Sequence, residues 1–65
     1  MPTIIGEVDV EKDARPGSHH EGWDQALDRA LDQAGAFGGQ YVKIEFFALL
    51  TANPGQIQRY IVTIS

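Results

Sequence analysis

Residues 22–34, GWDQALDRALDQA, carry the one unambiguous period in this chain, and that period is helical. Trp23, Leu27, Ala30, Leu31 and Ala34 recur at helical spacing and share one face, with Ala26 at its edge. Asp24, Gln25, Asp28, Arg29, Asp32 and Gln33 fill the opposite face. An amphipathic helix of this length has no stability of its own in water, so the rest of the chain must supply a surface for its apolar stripe.

That surface reads as a sheet. Thr3 to Glu11, TIIGEVDVE, alternates, with Ile4, Gly6, Val8 and Val10 on one side and Ile5, Glu7, Asp9 and Glu11 on the other. Lys12 to Gly17 is a loop, because Pro16-Gly17 is a turn signal and Pro16 turns Arg15 away from helical geometry. Ser18 followed by Glu21 is a capping box, which starts the helix at about His19, and Gly35 marks its stop. Tyr41 to Thr51 is a second strand, with Val42, Ile44, Phe46, Ala48 and Leu50 on one face and Tyr41, Lys43, Glu45, Phe47 and Leu49 on the other. Ala52-Asn53-Pro54-Gly55 is a turn, with Pro54 suited to its first central position and Gly55 able to take a positive φ. From about Gln56 a third strand sets Tyr60, Val62 and Ile64 against Ile57, Arg59, Ile61 and Thr63. So short a turn makes the last two strands an antiparallel hairpin.

The expected fold class is α+β, in the order β-α-β-β, with one helix packed on a three-stranded antiparallel sheet in a single domain spanning 1–65. The helix should cover the side carrying Val8, Ile44, Phe46 and Val62. The other side mixes Glu7, Asp9, Lys43, Glu45 and Arg59 with Ile5, Tyr41, Phe47, Leu49, Ile57 and Ile61, too apolar a set for a freely solvated face. A chain of 65 residues buries a marginal core, and with no cysteine it has no disulfide to compensate. Self-association is the remaining remedy, and the second sheet face and unpaired edges are its expected contacts.

Composition excludes other classes. Net charge is −4, from nine acidic and five basic residues scattered along the chain, so no basic patch is available for nucleic acid. No apolar run is long enough to span a bilayer, and MPTIIGEVDV lacks the pattern of a signal peptide, so a cytoplasmic setting and no membrane partner are expected. There is no cysteine nucleophile, phosphate-binding loop or Gly-x-Ser-x-Gly elbow, and Ser18 is accounted for as a cap, so catalysis is not expected.

The β-α-β-β order, the capped helix opening Trp23-Asp24-Gln25-Ala26 and the last strand Gly55-x-Ile57-x-x-Tyr60-x-Val62-Thr63-Ile64 together resemble dodecins. The resemblance covers most of the chain through short motifs. It implies a small cytoplasmic protein that assembles into a hollow dodecameric homo-oligomer and binds or stores a small molecule, with flavin as the candidate ligand at subunit interfaces. In that family a tryptophan at the start of the second strand stacks on the flavin, and a glutamine after the aromatic of the third strand bonds its polar edge. Those positions fall at about Tyr41 and at Ile61, of which Tyr41 can still stack and Ile61 has no hydrogen-bonding side chain. The candidate ligand-binding residues are Tyr41, Lys43, Glu45, Phe47, Arg59 and Ile61, with Lys43, Glu45, Glu7 and Arg59 expected to form cross-strand ion pairs.

Other readings stay open. A structural or regulatory homo-oligomer without a ligand would use the same apolar residues as interface. A metal-binding oligomer would use His19-His20-Glu21 or the Asp24, Asp28 and Asp32 ladder, whose residue types suit zinc or copper and calcium or magnesium respectively. Adjacent helical residues diverge by about 100°, so His19 and His20 cannot readily grip one ion without ligands from elsewhere. A capped, solvated helix start and a solvated acidic face explain both segments without metal, and Arg29 at three residues from Asp32 offsets part of the carboxylate repulsion.

Overall fold

A computed structural model of the chain describes residues 3–13 and 15–65; Met1, Pro2 and Ala14, the last inside the expected loop, lie outside the described residues. Strand β1 (Ile4–Asp9) leads to helix α1 (His19–Asp32), a 3₁₀ turn at Gly35–Phe37, strand β2 (Ile44–Leu50) and strand β3 (Ile57–Ile64). The sheet is three-stranded and antiparallel in the order β1-β3-β2, so the last strand in sequence is the central one. In register, Gly6 and Phe46 flank Val62, Val8 and Ala48 flank Tyr60, and Glu7 and Phe47 flank Ile61.

The helix starts where the capping residues place it. Ser18 Oγ accepts the Glu21 N–H at 3.2 Å, but Glu21 returns its carboxylate to the N–H of Gly17, at 2.8 Å, one residue before the cap. At the other end Gly35 does not supply a left-handed stop. Gln33 ends the helix in right-handed geometry and the chain tightens into the 3₁₀ turn, leaving Gly39 as the one positive-φ glycine of the described residues, at 77°.

The buried core is Val8, Ala26, Ala30, Tyr60, Val62 and Ile64. Its helical members are small for a reason visible on the sheet. A Cβ on Gly6 would collide with the Ala26 carbonyl oxygen and the Ala30 backbone, so α1 lies directly on the β1 backbone. Gly22 makes a second close approach, since a Cβ there would stand 2.5 Å from Cζ of Tyr60. The contact line therefore runs along Gly22, Ala26 and Ala30, and α1 sits over β1 and β3. The larger residues of the apolar stripe face sideways, with Trp23 and Leu27 half-buried and Leu31 50% exposed.

Two expectations about the sheet are corrected by this offset. Ile44 and Phe46, expected under the helix, are 40% and 54% exposed because α1 does not reach across to cover β2. Ile57, expected on the far face, instead packs against the core, because the register shifts at Leu49/Leu50 so that Leu50 pairs with Ile57 while Leu49 pairs with Arg59. The bulge inserts one residue and moves Ile57 to the other side. The hairpin turn also differs: Asn53–Pro54 is cis, Gly55 has no positive φ, and Thr51 closes the turn by accepting the Gln56 N–H at 3.1 Å and donating to the Pro54 carbonyl at 2.8 Å.

Candidate functional site

Five of the six residues singled out from the sequence lie on the sheet face away from α1, where the register brings them together. Phe47 and Ile61 are direct cross-strand neighbours, with Glu45 opposite Thr63 and Leu49 opposite Arg59 on either side. An ion pair stands at each end of this strip. Arg59 Nη2 donates to Asp9 Oδ2 at 3.0 Å across the β1–β3 pair, and Lys43 Nζ lies 3.5 Å from Glu45 Oε1 along the second strand. Glu7, expected in that set of ion pairs, has none within 4 Å among the described residues; its charge still acts on Arg59, and its backbone carbonyl accepts from Arg29. Tyr41 is not part of the strip: it precedes β2, outside any strand, and is fully exposed.

The two edges of the sheet are treated differently. On β1 the Val10 N–H donates to the Gln58 carbonyl, so the even-numbered residues face β3 and the odd-numbered ones face outward. Most of those outward groups are taken up from within the chain, the N–H groups of Ile5 and Glu7 being left without an acceptor among the described residues. Arg29 Nη1 donates to the Glu7 carbonyl at 2.7 Å, Gln33 Nε2 to the Ile5 carbonyl at 3.3 Å, and the Asp9 N–H donates to Asp13 Oδ2 at 3.0 Å. The Asp9 carbonyl receives the N–H groups of Lys12 and Asp13. Arg29, expected to balance Asp32, spends its guanidinium on this edge and on Asp13, at 3.0 Å.

On β2 nothing comparable occurs. Lys43 exchanges backbone hydrogen bonds with Ser65, so Lys43, Glu45, Phe47 and Leu49 face β3, and the backbone groups of Ile44, Phe46, Ala48 and Leu50 point outward. Among the described residues no hydrogen bond reaches them. Both faces of the strand are open as well, with Phe46 54%, Phe47 49% and Leu50 59% exposed. An unpaired edge bearing apolar side chains on both faces is a template for another strand. On the helix side a cleft of about 500 Å³ follows it, formed by Trp23, Leu27 and Phe46 with His20 and Asp24 at the rim. Trp23 meets Phe46 edge-on at 5.7 Å and Tyr60 edge-on at 4.9 Å.

The electrostatics of the strip are set by its acidic partners. The Asp9 carboxyl is held below its ordinary value by the Glu11 N–H it accepts and by Arg59, and Asp13 is lowered by Arg29 and the Asp9 N–H. Arg29 and Arg59 are correspondingly raised by Asp13 and Asp9. Arg59 Nε is buried without a hydrogen-bond partner among the described residues. No group of three or more His, Asp or Glu side chains converges among the described residues: His20 pairs with Asp24 at 3.4 Å and Glu21 is turned back on Gly17.

Sequence alternation found the strip but missed the contrast between the edges, since Arg29, Gln33 and Asp13 reach β1 only after the chain folds. The Gly6 and Gly22 approaches left a trace, a glycine in a strand and another in a helix, which is a signal of close backbone contact. Among the described residues no helix is long and apolar enough to cross a membrane. Set against family models, curated proteins and solved structures, the chain finds no match.

Proposed function

We propose that this chain works as a homo-oligomer, with β2 as the contact between copies, and that it binds or stores a small flat molecule on the apolar strip enclosed there. The observation that carries the reading is the asymmetry of the sheet: β1's edge is largely covered by Arg29, Gln33 and Asp13, whereas β2 has an unpaired backbone and exposed apolar residues on both faces. A second copy suits that surface. Glu45 is the one charge on β2 and is already beside Lys43, so strand pairing about a two-fold axis through Phe47 brings no like charges together. The strip of Phe47 and Ile61, rimmed by the Lys43–Glu45 and Asp9–Arg59 pairs, is apolar at its centre and polar at its ends, the composition of an orienting pocket for a planar ligand.

The resemblance to dodecins agrees with this reading and makes a hollow dodecamer and a flavin the specific forms to test. Sedimentation of the purified protein gives the subunit number, and its absorption spectrum reports a bound flavin. A mass of one chain overturns the proposal. An oligomer without chromophore or flavin affinity removes the flavin and leaves the self-association.

A further inference from the structure

A second cleft, of about 690 Å³, opens at the start of α1, between the Arg15–His19 segment and the β2–β3 turn. That volume is in the range of small-molecule pockets. One wall is apolar, made by Val10, Leu50 and Ile57, and the other carries Arg15, Ser18 and His19.

Tyr60 lies where the two walls meet. The residue is only 3% exposed, and its ring is fixed by the edge of Trp23 at 4.9 Å and by the tight approach of Gly22 to Cζ. Its hydroxyl has no hydrogen-bond partner among the described residues yet keeps some solvent contact, unlike Arg59 Nε on the opposite sheet face, which is buried without a partner. The phenol therefore reaches the cleft that its residue lines. A buried tyrosine ordinarily finds a partner for its O–H, so an open one aimed into a cavity marks a place for an acceptor.

The neighbouring groups are donors of the same kind. Ser18 satisfies the Glu21 N–H through its side chain and the Gly22 N–H through its carbonyl, which leaves the His19 N–H without an acceptor among the described residues. Arg15 has no ion-pair partner among the described residues. Glu21, the carboxylate in the first turn of α1, accepts from Gly17 at 2.8 Å and does not line the cleft. A 14-residue helix end adds the positive end of its dipole.

We propose that this cleft binds a small organic anion, a carboxylate or phosphate monoester on an apolar body. The anionic head sits between Arg15, the Tyr60 hydroxyl and the first turn of α1, and the apolar body lies on Val10, Leu50 and Ile57. One chain supplies the whole site, so the inference does not depend on self-association.

Hexyl phosphate, hexanoate and hexanol titrated into the intact protein and followed by amide NMR test it. The expected result is saturable shifts at His19 and Gly17 with one or both anions, whichever head group the site takes, and none with hexanol. Tyr60→Phe, which removes only the oxygen, then weakens binding about tenfold at unchanged melting temperature, and Arg15→Gln, on an exposed segment, weakens it by a similar factor. Absence of saturable shifts with both anions overturns the proposal, as does equal binding of hexanol or undiminished binding in both variants.

Discussion

Arg29 on α1 donates a 2.7 Å hydrogen bond to the carbonyl of Glu7 on β1, 22 residues earlier in the chain, and its guanidinium also grips Asp13. A single side chain thereby ties the helix to the sheet, orders the turn after β1 and occupies an edge that would otherwise be open. Replacing it should do more than loosen the surface. Arg29→Ala is expected to lower the unfolding free energy by about 1 kcal/mol, the modest figure appropriate to a half-exposed charge-assisted bond, read by urea denaturation. The same variant should associate more readily through β1, seen as a rise in sedimenting mass with concentration.

The Gly6 contact predicts a larger loss. Alanine there forces the helix backbone away from β1, and backbone cannot yield as a flexible side chain can, so Gly6→Ala should cost about 3 kcal/mol in chemical denaturation. Gly22→Ala should also destabilise, but less, since the helix propensity gained, about 1 kcal/mol, offsets part of the clash with Tyr60. A neutral Gly6→Ala would mean that α1 does not rest on β1 as described.

Acid should weaken the fold through Asp9 and Asp13. Both carboxyls are lowered from an ordinary value of 3.8, Asp9 chiefly by the Glu11 N–H and Asp13 chiefly by Arg29. A lowered folded-state value means that the stabilisation is fully present above the ordinary value and is lost as pH falls below it, through the folded value. Unfolding free energy should therefore drop as pH falls below about 4, and Asp13→Asn should flatten that drop while lowering stability at neutral pH.

For the β2 contact, strand parity supplies a discriminating variant. The Ala48 N–H points outward, so Ala48→Pro removes a donor from the free edge and none from the pairing with β3. If copies join by strand pairing, Ala48→Pro reduces the assembly to smaller units with the hairpin intact. Phe47→Asp should also dissociate it, by placing a charge against the strip with no partner. An unchanged mass in both variants would exclude β2 as the contact.

Local chemistry in the sequence determined the elements themselves. The step pattern from Trp23 to Ala34 made a helix, Ser18 placed its start, and alternation in β1, β2 and β3 sorted nearly every strand residue to its correct face. These are properties of residues close together in the chain, so they can be read in one dimension. Where α1 lies on the sheet could not be read that way. The apolar stripe centres on Trp23, Leu27 and Leu31, but the contact line follows Gly22, Ala26 and Ala30, because Gly6 lets the backbones meet and the closest approach wins over the largest side chains. From that offset follow the exposure of Phe46, the uncovered β2 and the place of Tyr60 in the lining of a cleft. The bulge that turns Ile57 inward likewise depends on pairing with β2, and alternation along a single strand carries no information about its partner's register.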